Sequence, residues 1–319
     1  MPNSNDDMIK EPIFLVGSER SGTTLLRLML DHHPSIAFHF EFEFAVEMIA
    51  DDGTLPPVEA YRDWLVSNRI FRGSAANLYT SLDYRHLVNS VLEQKRRRDK
   101  KQLVGATVHT HFDRLLHVWP DARYIHLLRD GRDVARSCIQ MGWAGNAWTG
   151  ADRWIEAERL WATLRNRLPR SRYCEVTYEA LVERPQDTLG SICVFLGVPF
   201  HESMLSYPDD STYELPKATA GYQWKRTASE EEIRLAEARI GDLLVERGYA
   251  LSGLPKLDLS PWQVRKLRLQ DRWTRRLFRV RRYGLFLCVL EVISRKTRSS
   301  WLARYVAPQV EAIGRQYMK

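Results

Sequence analysis

Short continuous apolar runs alternate along this chain with longer stretches in which apolar residues recur every three or four positions, and the two patterns predict different elements. Pro12 to Gly17 is an apolar run closed by glycine, the pattern of a strand buried on both faces. Gly22 to Leu30 has helical spacing and ends at Asp31-His32-His33-Pro34, since proline cannot continue a helix. Helical patterns follow over 57–68 and 78–98, the second closing in the solvated run Lys95 to Lys101. Leu103–Val108 predicts a second strand, Phe112–Trp119 a short helix, Ala122–Leu128 a third strand and Asp133–Met141 a helix. Arg153–Leu168 is helical, with Trp154 and Trp161 on one face as core residues, while Trp143 and Trp148 are candidates for a substrate wall. Arg172–Thr177 predicts a fourth strand, Pro185–Leu196 a helix ended by Gly197, and Glu230–Arg247 a charged helix stopped by Gly248. Strands alternating with helices imply an α/β fold, its parallel sheet covered by helices on both faces. Pro255 to Pro261 reads as a linker, dividing the chain into a body, 1–254, and a basic helical extension, 255–319.

Composition removes whole classes without choosing a function. The 319 residues are 44% hydrophobic and 27% charged, with 17 Gly and 14 Pro, which excludes collagenous and disordered chains. Cys138, Cys174, Cys193 and Cys288 form no C-x-x-C pair, so neither a disulfide framework nor a zinc site is expected. The polar, acidic start Met-Pro-Asn-Ser-Asn-Asp-Asp is unlike a signal peptide. The longest apolar run, Gly284 to Leu290, falls short of the roughly 20 residues of a spanning helix. A cytoplasmic protein is the expectation.

Charge is distributed unevenly. The net charge is +7, yet residues 251–319 hold 16 Lys and Arg against 4 Asp and Glu, while the first 250 carry 31 against 36. Basicity belongs to the extension. From Arg272 to Arg282 six arginines interleave with Trp273, Leu277, Phe278 and Val280, and Trp273, Leu277 and Val280 share a helical face. Two readings stand: that face meets an anionic membrane surface, or it packs on the body while the arginines pair with acidic residues. Nucleic acid is not an expected partner.

The sharpest local signal is Gly17-Ser18-Glu19-Arg20-Ser21-Gly22-Thr23-Thr24, which follows a strand and opens a helix. Its spacing is that of G-x-x-x-x-G-K-[ST], a P-loop-like turn whose backbone N–H groups face an anion. Thr23 stands where a nucleoside triphosphatase has the lysine that meets β- and γ-phosphates. A P-loop phosphotransferase of the nucleoside or small-molecule kinase type is therefore the second choice. Asp113, Asp130 and Asp133 are too scattered for a metal site and are expected to orient arginines.

Arg20-Ser21-Gly22-Thr23-Thr24-Leu25-Leu26-Arg27 resembles the 5′-phosphosulfate loop of sulfotransferases that use 3′-phosphoadenosine 5′-phosphosulfate (PAPS), especially the bacterial and tyrosylprotein-type branch. Arg129 to Ser137 resembles the family's 3′-phosphate motif, which implies cofactor-binding roles for Arg129 and Ser137, as for Arg20, Ser21, Gly22, Thr23 and Thr24. Val176-Thr177-Tyr178-Glu179 is similar to the segment whose tyrosine lies by the adenine, here Tyr178. Gly131 replaces a proline common in relatives, Thr107 falls where relatives often carry a lysine, and the glycine-rich basic segment that closes over the 3′-phosphate in the cytosolic branch is reduced to Trp224-Lys225-Arg226. The resemblance runs from about residue 12 to 250. It implies a sulfotransferase that moves a sulfuryl group from PAPS to a hydroxyl or amine of an unidentified acceptor. Arg20 would meet the leaving phosphate. Glu41, 21 residues after Arg20, matches the glutamate base of the tyrosylprotein-type branch, and an apolar setting in Phe40-Glu41-Phe42 would raise its pKa. His109 and His111 lie near the catalytic histidine of the cytosolic branch, and on a strand continuing from Thr107 they would share one face. Glu41 is the preferred base, with both histidines as further catalytic candidates.

Overall fold

The computed structural model describes residues 8–210, 214–215, 217–297 and 300–317. Two compact units divide the chain, Met1–Asp130 with Arg153–Gln223, and Gly131–Asp152 with Trp224–Lys319.

The first unit holds the sheet: β1 (Ile13–Val16), β2 (Ile36–Glu41), β3 (Leu103–Val108), β4 (Arg123–Leu128) and β5 (Tyr173–Thr177), all parallel in the order β2-β3-β1-β4-β5. Helices α1 (Thr23–Asp31), α2 (Val58–Ser67), α3 (Arg69–Gly73) and α4 (Tyr84–Asp99) lie between its first three strands. Next along the chain come α5 (Gly131–Gln140) and α6 (Ala147–Gly150) of the second unit, then α7 (Asp152–Arg165), α8 (Tyr178–Glu183) and α9 (Pro185–Leu196). Alternate residues of β1 serve opposite faces, as a doubly covered strand requires. Phe14 and Val16 join one buried cluster with Leu87 and Val91 of α4, and Ile13 and Leu15 join another with Leu26 and Met29 of α1. The α/β fold with a parallel sheet is the expected one.

One strand escaped the pattern. β2 begins two residues after Pro34 and carries His39 in its middle, so its apolar run is too short and interrupted to read as a strand. His39 is nevertheless buried, 3% exposed, because the edge of the sheet is itself covered. A bulge interrupts β2, since His39 pairs with Ala106 and Glu41 with the very next residue, Thr107. The short helix expected over 112–119 is a tight 3-10 turn, Phe112–His117. β3 stops at Val108 and His111 turns into a left-handed conformation at φ 51°, so His109 and His111 do not share a strand face.

The second unit is helical, adding α10 (Trp224–Thr227), α11 (Glu230–Glu246), α12 (Pro261–Tyr283), α13 (Leu285–Thr297) and α14 (Ser300–Tyr317). Ser229 with Glu232, and Ser260 with Gln263, form capping boxes that start α11 and α12, and Pro261 sits where a helix tolerates proline best. Ala147, Leu235 and Ala236 are buried together against Leu257, Leu259 and Leu267. Arg132 is enclosed by Glu237 Oε1 at 2.6 Å, the Ala250 carbonyl at 3.0 Å and the Trp224 ring. Asp133 accepts from the Trp224 backbone N–H at 2.7 Å, a structural role for the segment that read as Trp-Lys-Arg in the sequence.

Candidate active site

β1 lies between β3 and β4, which the chain visits on opposite sides of it, so its carboxyl end is the switch point where open α/β sheets hold ligands. The loop of residues 17–22 starts there. Its backbone is unusual at three places: Gly17 at φ 148°, Arg20 at φ 71° and Gly22 at φ 92°. A Cβ on Gly22 would lie 2.3 Å from the Tyr178 ring, so glycine is what lets this tyrosine lie against the loop. Gly22 also precedes α1, whose N-terminus has no side-chain cap, leaving its first N–H groups for an anion. Ser21 is 1% exposed and its hydroxyl has no hydrogen-bond partner among the described residues, a state that calls for a ligand.

Arg129 stands just past β4 and reaches this loop. Its Nη1 donates to the Arg20 carbonyl at 3.0 Å, and its guanidinium lies 4.3 Å from the centre of the Tyr178 ring. Its own carbonyl accepts from Trp154 Nε1 of α7 at 2.9 Å, and Arg153 of the same helix pairs with Glu19 in the loop. The helix is anchored deeper down: Trp161 stacks on buried His126 and donates to Glu175 at 2.7 Å. Hydrogen bonding with His126, ahead of that with Trp161, takes the Glu175 carboxyl down to about 2 against its burial. Trp154 and Trp161 are thus core residues with a positioning consequence.

Arg20, Thr23, Thr24, Arg129 and Tyr178 line a cavity of about 300 Å³. Lys217 lines it too, ion-paired with Glu214 at 2.6 Å, and no motif marks that segment. Three cations, two hydroxyls, an aromatic face and a helix N-terminus form a donor set for a phosphorylated nucleotide. Ser137 lies on α5 in the second unit. Thr107 is 3% exposed on β3, and its hydroxyl has no partner among the described residues.

The candidate bases separate. Glu41 is exposed at the end of β2, so the apolar setting expected for it is not there. That setting belongs to Glu43, two residues on, which sequence reasoning passed over: burial pushes its carboxyl up, against the pull of His109. Glu43 Oε1 accepts from the His109 backbone N–H at 2.9 Å. The His109 ring lies 3.0 Å from the Gly17 carbonyl through Nδ1, which must donate there. In the neutral ring Nε2 is then the acceptor. His111 is exposed.

The Sulfotransferase family profile matches residues 12–202. Among similar curated proteins, protein-tyrosine sulfotransferase 2 of Gallus gallus is 27% identical over 209 residues, 62% of this chain and 54% of that protein. The protein-tyrosine sulfotransferase of Drosophila melanogaster is 25% identical over 216 residues, 62% of this chain and 40% of its own length. The chain thus spans about half the length, or less, of these curated relatives. Two solved structures share the fold. The sulfotransferase domain from the curacin biosynthetic pathway has a TM-score of 0.56 at 18% identity, covering 77% of this chain and all of that one. The sulfotransferase domain of the Synechococcus PCC 7002 olefin synthase has a TM-score of 0.54 at 22% identity, covering 74% and 98%. These matches do not favour the kinase alternative, and with the lysine-free loop they place the chain in the sulfotransferase family.

Proposed function

We propose that the protein transfers a sulfuryl group from PAPS to a hydroxyl or amine of its acceptor, releasing 3′,5′-bisphosphoadenosine. The observation that carries this reading is the meeting of Arg20 and Arg129 at one cavity, on a loop with Thr23 in the lysine position. PAPS, when bound, supplies an activated sulfuryl group on a phosphate leaving group. Arg20, the loop amides and Thr23 and Thr24 at the start of α1 hold that phosphate and stabilise the charge growing on it. Arg129 meets the 3′-phosphate as a planar, bidentate donor. Tyr178, held between Gly22 and Arg129, is the adenine contact.

Glu41 takes the acceptor proton as the new bond to sulfur forms. It stands at the end of β2, two strands from the loop-bearing β1, or about 10 Å at normal strand spacing. His109, tied to Gly17, orients the acceptor through Nε2. Calorimetry tests the cofactor assignment: 3′,5′-bisphosphoadenosine binds far more tightly than AMP, and equal affinities would overturn it. A sulfate-transfer screen against pooled metabolite, glycan and lipid extracts identifies the acceptor.

A further inference from the structure

The helices that end the second unit carry a surface the sulfuryl-transfer site does not use. α12 has two faces of different fate. Leu267, Asp271 and Phe278 are turned into the unit: Leu267 packs beside Ala147, Leu235 and Ala236, and Asp271 accepts from the Gly145 N–H at 2.7 Å and Thr149 Oγ1 at 2.9 Å. Phe278 lies where any side chain on Gly142 would fall. On the other face stand Trp262, Leu269, Trp273 and Leu277, spaced i, i+7, i+11, i+15, and they are 69%, 48%, 63% and 54% exposed. α13 repeats the pattern: Leu285, Phe286, Val289, Val292 and Ile293 share one of its faces and are all exposed. Single exposed apolar residues are ordinary, but two continuous stripes with two tryptophans and a phenylalanine are not.

The charges beside the stripe say what covers it. Between 261 and 297 there are eleven Lys and Arg against two carboxylates. Both carboxylates are engaged internally, Asp271 as described and Glu291 with Arg279. Lys266 lies 5.9 Å from the Trp262 ring centre and Arg276 5.8 Å from that of Trp273, and Arg265 and Arg272 are exposed along the same edge. An apolar partner alone would strip water from these cations without compensation. An anionic bilayer takes both parts, tryptophan and leucine at the acyl boundary and the cations among the headgroups.

We propose that the exposed face of α12, extended by that of α13, docks this protein on an anionic lipid surface, lying along the interface. No helix among the described residues is long and apolar enough to cross a membrane, which leaves the in-plane arrangement for these stripes. This places the enzyme where a membrane-associated acceptor would reach it, yet the docking stands whether or not the cofactor assignment holds.

The test uses the full chain with phosphatidylcholine vesicles, with and without phosphatidylserine. The protein should sediment with the phosphatidylserine vesicles alone and be released by high salt. Brominated acyl chains should quench part of its tryptophan emission. Arg265→Gln with Arg272→Gln should weaken partitioning roughly fivefold for each cation removed. Trp262→Ser, Trp273→Ser and Leu277→Ser together should abolish it, with an unchanged melting curve because the residues are exposed. Absence of sedimentation and quenching with the unaltered protein would overturn the proposal. So would a dimer, in place of vesicle binding, that the triple substitution makes monomeric, since the face would then be a self-association surface.

Discussion

The cavity at the end of β1 and the outer face of α12 both gather arginine beside aromatic rings, and they are built on opposite principles. In the cavity Arg129 is held by a carbonyl on the Arg20 backbone, its own carbonyl is held by Trp154, and Ser21 is buried with its hydroxyl unpartnered among the described residues. Each group there has one place to be, and a ligand would complete what the protein leaves open. On α12 the tryptophans and leucines are exposed, and any one contributes only its own area and charge. The contrast separates a site that acts through a few fixed contacts from a surface that acts through a sum. Single substitutions should therefore cost orders of magnitude in the first and little in the second.

The strongest challenge to that contrast is Glu41→Gln. Turnover should fall roughly 10²- to 10⁴-fold while bisphosphoadenosine affinity holds, with His109→Gln doing less. A histidine variant without turnover beside an active Glu41→Gln enzyme would move the base to His109. Arg129→Ala comes next: losing a charge-assisted clamp costs about 2–5 kcal/mol, so bisphosphoadenosine should lose most of its advantage over AMP in calorimetry.

Acid should reach the same strand that carries Glu41. Burial, more than the cations Lys95, Arg98 and Arg27, takes the His39 pKa from 6.5 down to about 4. His39 thus stays neutral when folded, while the unfolded chain gains a proton below about 6.5. The resulting stability is whole above pH 6.5 and is lost as pH falls towards 4, amounting to roughly 3 kcal/mol. Urea titrations at pH 7 and 4.5 should reveal the drop, and His39→Phe should flatten it. Smallest of all, Trp273→Ser should shift stability by no more than about 0.5 kcal/mol in thermal melts, as expected of an exposed position. A large loss there would mean that the α12 face is packed after all.

Much of this molecule was readable before it folded. The runs 12–17, 103–108, 122–128 and 172–177 became strands because continuous apolar residues between turn signals have little other use in a parallel sheet. Arg20 and Arg129 were legible through their motifs, and both stand past strand ends, Arg129 directly after β4 and Arg20 four residues after β1, where the α/β topology gathers ligands. β2 was not legible, because a histidine in a short run signals a strand only once its neighbours bury it. Nor was the exchange of settings between Glu41 and Glu43. It accompanies the irregular pairing between His39 and Glu41, and pairing is a property of two strands, not one. Lys217 entered the cavity wall from a segment with no pattern at all, as loop residues do.

The α12 helix marks the boundary most sharply. Its length, its cap at Ser260 and its arginines are local properties, written in consecutive residues. Which of its two apolar faces would be buried was not, since both Leu267 with Phe278 and Trp273 with Leu277 have helical spacing. Gly142 and Gly145, more than a hundred residues earlier, settled the choice by leaving room for Phe278 and for the Asp271 backbone. A pattern along one helix can show that a face is apolar, but burial needs a second surface with space to receive it, and that space exists only in the folded chain.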